Sequence, residues 1–421
     1  MSSKNNKLEI FNYIFAFSII YLTSAVEISF KKDSTIGAIL KSVMTFIPFL
    51  YCLNFYLSNK ISNKVFKIIT LTIFFFIIES LTCFSTVGEL TLYIIKFILF
   101  FLFCYLLYIK NKDFDKYLYY TISFIALYSI IFYFIINIFH IGLPYKVFQI
   151  VGTKEFYYDY YDIYFYRKSF DTVINIGPYS FDRLSSLFWE PGVYGIYLIY
   201  ALYINLFTNN IYKKNKRIIF LILVINILFT FSTTALCIML AFFAIKIIKN
   251  KQLKPYFKIL IIFPTVSIAL VGIFYIIISK INKNGLGEVN SFFARISDIT
   301  VGFTLFFQNI ISGTGFNNAG EFKELQGYGR DCSNGLIIWL FTTGTVGIFF
   351  ASYPYIINLK KLKKKSYPDV FYYLVYIIMV ILLNMTEPIF TSPLMTYVLA
   401  KEYALLCKRG KIINESITYS S

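Results

Sequence analysis

The sequence predicts an all-α membrane protein, a polytopic transmembrane helix bundle of about 12 spans with two large external loops. Three observations predict it. The 421 residues are 58% hydrophobic and 15% charged, with a mean hydropathy of +0.66, whereas soluble domains run nearer ~45–50% apolar and ~25% charged. The apolar residues fall in runs that approach or exceed the roughly 20 residues a spanning helix needs. Basic clusters punctuate those runs, and one choice of sides places every cluster in the cytoplasm.

The first run, near 8–25, follows the polar start MSSKNNK. No small-residue cleavage site follows it, so it reads as a retained helix rather than a signal peptide. Further runs lie near 36–57, 68–86, 89–109, 118–139, 191–208, 218–232, 233–248, 258–279, 335–357, 369–386 and 388–406. Residues 218–248 form one apolar stretch with basic flanks at both ends. One straight helix would put one flank outside. The polar break at Ser232-Thr233-Thr234 therefore predicts two short helices folded as a hairpin, each of about 15 residues and at the lower limit for spanning; one kinked helix is the other reading. With both termini cytoplasmic, twelve spans put KNNK at 4–7, SNKISNKVFK at 58–67, KNKDFDK at 110–116, YKKNKR at 212–217, KIIKNKQLK at 246–254, LKKLKKK at 359–365 and CKRGK at 407–411 on one side.

The whole chain, 1–421, reads as a single transmembrane domain. Short external turns at 26–35 and 87–88 look structural. The external loops 140–183 and 280–334 are too long for connectors, and loops of that length usually carry function.

The formal net charge is +18. The positive-inside rule accounts for it, so no nucleic-acid partner is expected. Cys52, Cys83, Cys104, Cys237 and Cys407 lie in or beside apolar runs, where cysteine behaves as a small hydrophobe. Only Cys332 sits in a long loop. With one histidine, His140, and no CxxC spacing, neither a metal nor another cofactor is expected.

Arginine carries the strongest local signal. Of six, Arg217 and Arg409 fall on the cytoplasmic side. Arg167, Arg183, Arg295 and Arg330 lie in the external loops, where that rule gives no reason for them. A guanidinium presents a planar fork that matches phosphate oxygens two at a time. Arginines from both loops therefore suggest a site for an anionic head group at the outer surface; solvated surface charge is the plain alternative.

The most distinctive string is FDRLSSLFWEPGVYGIYL at 181–198. Pro191 suits a first helical position. Glu190 then sits at the external mouth of the sixth span, at the positive end of its dipole, with Asp182 and Arg183 just upstream. Such a mouth can bind a phosphate and orient a hydroxyl; a capped helix end with Trp189 as a belt residue is the plain alternative. The glycine-rich string 313–347 ends in a span containing Gly344 and Gly347, and is neither a Walker loop nor a dinucleotide fingerprint. The string NMTEPIFTSPL at 384–394 sets Glu387 between the last two spans. Few ionisable residues are expected inside the helices, Glu79 and Lys96 being the main ones, which weakens a proton-driven transporter.

Together these residues resemble a family. The Arg183–Gly192 segment, the Ser-Thr break at 232–234, the GxG of Gly313 and Gly315, the SN-x-L…G-x-x-G of Ser333, Asn334, Leu336, Gly344 and Gly347, and the N-x-x-E-P of Asn384, Glu387 and Pro388 are similar, in that order, to the Wzy-type O-antigen and capsular polysaccharide polymerases. The resemblance covers roughly residues 180–400. Related O-antigen ligases carry a His-Asn near the start of the tenth span; here Cys332-Ser333-Asn334 stands there, which favours polymerase over ligase.

The resemblance implies a multi-pass protein of the bacterial cytoplasmic (inner) membrane, joining undecaprenyl-diphosphate-linked repeat units at its outer face. A hydroxyl of one unit attacks the anomeric carbon of the other, and the lipid diphosphate leaves. Fixed cations replace a metal in neutralising that diphosphate, and alignment lowers the barrier further. On this reading Arg183, Arg295, Arg330 and Arg167 bind the diphosphate or sugar, and Glu190 or Asp182 is the base. A lipid-linked oligosaccharide flippase is the competing transporter reading. The implied partners are the bilayer, the lipid-linked units, a chain-length regulator and a flippase.

Overall fold

The chain is mostly helical in the computed structural model. The structure describes residues 2–24, 66–75, 98–110, 113–149, 156–161, 164–168, 173–176, 179–208, 215–260, 291–315, 319–326, 332–363, 367–387 and 392–407, with a few single positions between them. Arg330, Glu79, Lys96, both short external turns and most of the apolar runs near 36–57, 68–86 and 258–279 lie outside the described residues.

The helices are α1 (Ser2–Ser24), α2 (Phe100–Lys110), α3 (Phe114–Tyr133), α4 (Pro191–Phe207), α5 (Lys216–Thr230), α6 (Thr233–Lys249), α7 (Ser291–Gln308), α8 (Ala319–Gln326), α9 (Gly335–Lys363), α10 (Tyr367–Thr386) and α11 (Pro393–Cys407). A π-helical turn, Phe134–Ile138, extends α3. Residues Phe114–Ile138 and Gly335–Lys363 are long and apolar enough to cross a membrane. Hydroxyls within these apolar helices satisfy themselves locally: Thr121, Ser123 and Thr343 each donate to the carbonyl four residues back, at 2.8, 2.7 and 2.6 Å. That pairing lets a polar side chain persist in an apolar setting.

Helix α4 is the centre of the bundle. All of its residues but Leu206 are buried, which marks a helix enclosed on every side. It packs against α3, α5, α6 and α10. Tyr194 near its start bonds Asn226 of α5, at 2.9 Å, and Asn205 near its end donates to the Lys216 carbonyl, at 3.1 Å; α5 therefore runs antiparallel to α4. Gly195 faces Ala235 of α6, and Phe207 packs on Phe242 with ring centroids 5.3 Å apart, so α6 runs parallel to α4. The chain reverses between them. Phe231 takes a left-handed conformation (φ 46°) and Ser232 caps α6. The polar break at 232–234 is thus a hairpin, not a kink.

Helix α9 is interrupted at Gly344 (φ 60°, ψ −155°), a region essentially restricted to glycine. The interruption exposes helix-internal backbone groups, and a loop satisfies them. Thr314 and Gly315 donate to the carbonyls of Phe341 and Thr342, at 2.8 and 2.9 Å, while Thr345 and Val346 donate to those of Ile310 and Ile311, at 2.8 and 3.2 Å. The two glycine motifs, Gly313–Gly315 and Gly344–Gly347, are halves of one backbone-to-backbone junction.

The described residues are mostly helical, consistent with the all-α expectation, and a few short strands add to the helices. The segment 140–183 contains two small antiparallel sheets, β1 (Lys146–Gln149), β2 (Phe156–Tyr160) and β3 (Tyr164–Lys168) in that order, and the hairpin of β4 (Val173–Ile176) with β5 (Tyr179–Asp182). Aromatic and β-branched residues dominate these segments and favour a pleated surface. Along β2, Phe156 is exposed and Tyr158 half-buried while Tyr157, Asp159 and Tyr160 are buried, so the strand sinks into the core toward its end. Loop 280–334 likewise holds α7 and α8.

Candidate functional site

The site is built around the N-terminus of α4. The segment from Asp182, the last residue of β5, to Glu190 is fixed on several sides. The Leu184 amide donates to the Phe229 carbonyl, at 2.9 Å, the Phe165 amide of β3 donates to the Ser186 carbonyl, at 3.1 Å, and the Ser129 and Ser186 hydroxyls share a hydrogen bond. Tyr133 donates to the Asp182 carbonyl, at 2.8 Å, and Tyr157 to that of Trp189, at 2.7 Å. The string 181–190 is therefore clamped between the β1–β3 sheet, α3 and the α5–α6 break.

Arg183 is the sequence-predicted arginine that this clamp aims. Its Nε donates to the Thr230 carbonyl, at 3.0 Å, the last residue of α5. A cation there meets the negative end of a helix dipole. The Thr230 hydroxyl in turn accepts from the Ser232 amide, at 3.2 Å, so the guanidinium and the hairpin turn hold one another.

Glu190 is the N-cap of α4, half-buried and extended (φ −143°, ψ 140°), and its side chain does not cap the helix. Pro191 follows at the first position, as expected. The sequence reading did not name the second acid at this mouth as a site residue. Glu387, buried at the end of α10, lies with its carboxylate against Gly192. A Cβ on Gly192 would fall on that carboxylate, with Glu387 Cδ at 3.0 Å. Free N–H groups and the positive end of the dipole favour an anion in that place. The available signal was an acid followed by proline at the end of an apolar run. One turn on, a Cβ at Gly195 would stand 3.1 Å from Ala235 Cβ, so glycine there admits α6.

Thus Asp182, Arg183, Glu190, Glu387 and the break at 230–232 belong to one end of the bundle. Asp182 is half-buried beside Tyr166; burial, then the Asp182 charge, pushes the Tyr166 phenol well above its usual range. That phenol stays protonated and can donate to the carboxylate.

The other arginines are placed differently. Arg167 is in β3, paired in register with Tyr157. Arg295 is exposed on α7, one turn before Asp298. Asp298, also missed by sequence reasoning, is fully buried and accepts from the Ser333 amide and hydroxyl, at 2.8 and 2.6 Å, and from Gln326, at 2.9 Å. Asn334 caps α9 beside it. The start of α9 is thereby tied to α7 and α8.

A second polar cluster lies toward the other end of α4. Asp115 of α3 pairs with Lys401 of α11, at 2.5 Å, and accepts from Tyr200 and Tyr397, at 2.9 and 2.8 Å. Next to it, Glu402 accepts from Asn358 and Tyr373, at 2.9 and 2.5 Å. The bundle interior is more ionisable than expected. An apolar crevice of ≈ 530 Å³ runs between α9, α10 and α11, lined by Trp339, Leu340, Ile377, Val398 and Asn384 among others. Among the described residues no group of His, Cys, Asp and Glu is placed to hold a metal.

No protein-family model, curated protein or solved structure matches the chain.

Proposed function

We propose that the chain is a twelve-span polymerase of the bacterial cytoplasmic membrane, with both termini cytoplasmic, that joins undecaprenyl-diphosphate-linked repeat units into O-antigen or capsular polysaccharide at the outer face. The observation that carries the reading is that a fixed guanidinium, Arg183 bonded to the end of α5, and two acids at the mouth of α4, Glu190 and Glu387, lie at one end of the bundle. Glycosyl transfer from a lipid diphosphate needs those groups. The anomeric C–O bond to the diphosphate breaks as the acceptor oxygen bonds to that carbon. A cation stabilises the charge that develops on the leaving diphosphate, and a carboxylate takes the acceptor proton. Glu190 is the base in this scheme, and Glu387 and the α4 dipole set its surroundings. Arg295, Arg330 and Arg167 remain candidate contacts to diphosphate or sugar. The apolar crevice suits a prenyl chain.

Replacement of Arg183 and Glu190 by alanine in a host lacking its own polymerase tests this. The expected product is a surface glycan reduced to a single repeat unit. Full-length polymer from both variants would overturn the reading.

One observation favours a second reading. Ionisable groups within a bundle commonly mark transport, and the Asp115–Lys401–Glu402 cluster is such a group. A lipid-linked oligosaccharide flippase would trap substrate inside when deleted, whereas a polymerase deletion leaves one repeat unit outside and a ligase deletion leaves none.

A further inference from the structure

The β1–β3 sheet has two unlike faces. One carries Tyr157, Asp159 and Phe165, all buried on the bundle. The other sinks into the core at Tyr160 and Tyr164, 6% and 1% exposed, and its open part carries a row of tyrosines, one from each strand or its start. Tyr145 and Tyr158 have ring centroids 5.2 Å apart, and Tyr158 and Tyr166 5.8 Å. Tyr145 is 54% exposed, Tyr158 and Tyr166 are half-buried, and Phe156 flanks the row at 43% exposed. The row ends at the Asp182 carboxylate, which Tyr166 faces, and Asp182 is followed by Arg183. An aromatic path with three hydroxyls and a terminal acid therefore leads from solvent to the candidate site.

We propose that the row Tyr145–Tyr158–Tyr166, ending on Asp182, is a carbohydrate-binding face that holds the sugar portion of the ligand. The chemistry selects that occupant. A sugar ring offers an apolar C–H face for an aromatic side chain and hydroxyls for phenols and a carboxylate. An acyl chain has no use for the hydroxyls and the acid, and an extended peptide would add to a sheet edge rather than lie on its face. The direction of the sugar, outward from an anionic group at Arg183, rests on the function proposed above.

The test uses the full chain in lipid nanodiscs with two separate probes. The first is the lipid-free oligosaccharide released by mild acid from the host's surface glycan, followed by saturation-transfer NMR. The second is farnesyl diphosphate, which reports the Arg183 site alone. Wild type is expected to bind both. Tyr145→Ala with Tyr158→Ala is expected to weaken oligosaccharide binding at least tenfold and leave farnesyl diphosphate binding unchanged. Tyr145→Phe, which keeps the ring, is expected to retain binding, and Tyr161→Ala, exposed outside the row, serves as control. If the diphosphate binds and the oligosaccharide does not, the inference is overturned and the proposed function stands; if neither binds, both fall. A Tyr158→Trp variant quenched by brominated lipid would identify the row as a bilayer belt and also overturn the inference.

Discussion

Gly192→Ala isolates the contact on which the candidate site turns. The added methyl group falls on the Glu387 carboxylate, with Glu387 Cδ at 3.0 Å; carbon contacts prefer ~3.5–4.0 Å, so the carboxylate must retreat by about 1 Å. The obstruction is the end of a flexible side chain, so the overpacking cost is at the low end of roughly 1–3 kcal/mol. Gly192 stands in the first turn of α4, so losing the glycine returns less than the about 0.5–1 kcal/mol of a helix interior. Net stability therefore changes by less than about 1 kcal/mol. Activity responds differently, because a misplacement of about 1 Å at a reacting centre costs on the order of 10²-fold in rate, equivalent to ~2.7 kcal/mol of barrier. The assay is the length distribution of the surface glycan, beside a thermal melt of the purified protein. Glu387→Asp in the Gly192→Ala background shortens the acid by one methylene and is expected to restore much of the lost polymer. Normal glycan length in Gly192→Ala, or no recovery in the double variant, would refute the argument that this carboxylate must lie against the helix mouth.

Other expectations follow from the same geometry. Arg183→Lys keeps the charge but loses the directed Nε bond to Thr230, at 3.0 Å, at a stability cost of about 1–2 kcal/mol, and shortens the glycan; a melt and a glycan gel read the two effects. Gly344→Ala forces a side chain into a glycine-only backbone region, with the Ile311 carbonyl oxygen 2.5 Å from the new Cβ, and should cost more than ~3 kcal/mol, visible as loss of folded protein in detergent. Lys401→Met leaves Asp115 without its cation in a site where the two side chains are 14% and 23% exposed; the expected loss is ~3 kcal/mol, and Asp115→Asn added to Lys401→Met should recover much of it in the melt. Tyr157→Phe removes the bond to the Trp189 carbonyl, at 2.7 Å, and should cost about 1 kcal/mol by the same measurement.

The sequence determined the helices it could determine, because a bilayer accepts few backbone solutions and a long apolar run with basic flanks leaves little choice. The starts of α4 and α6 were legible for local reasons: Pro191 must open a helix and Ser232 must cap one. Arg183 stood out as an arginine in a long loop, and Glu190 and Asp182 because Pro191 sets them at a helix mouth. The sheets of loop 140–183 were not read, since their alternation is spread over strands of four or five residues within a longer aromatic stretch. Glu387, Asp298 and the Asp115–Lys401 pair could not be found by spacing at all. Each meets its partner from a distant part of the chain: Glu387 reaches Gly192, Asp298 reaches Ser333, and Asp115 reaches Lys401. Hydrophobic patterning decides which segments enter the membrane, but it is blind to which faces of those segments meet. Only packing decides that, because a buried charge is tolerated solely where a partner, a helix end or a hydrogen-bond donor arrives to meet it.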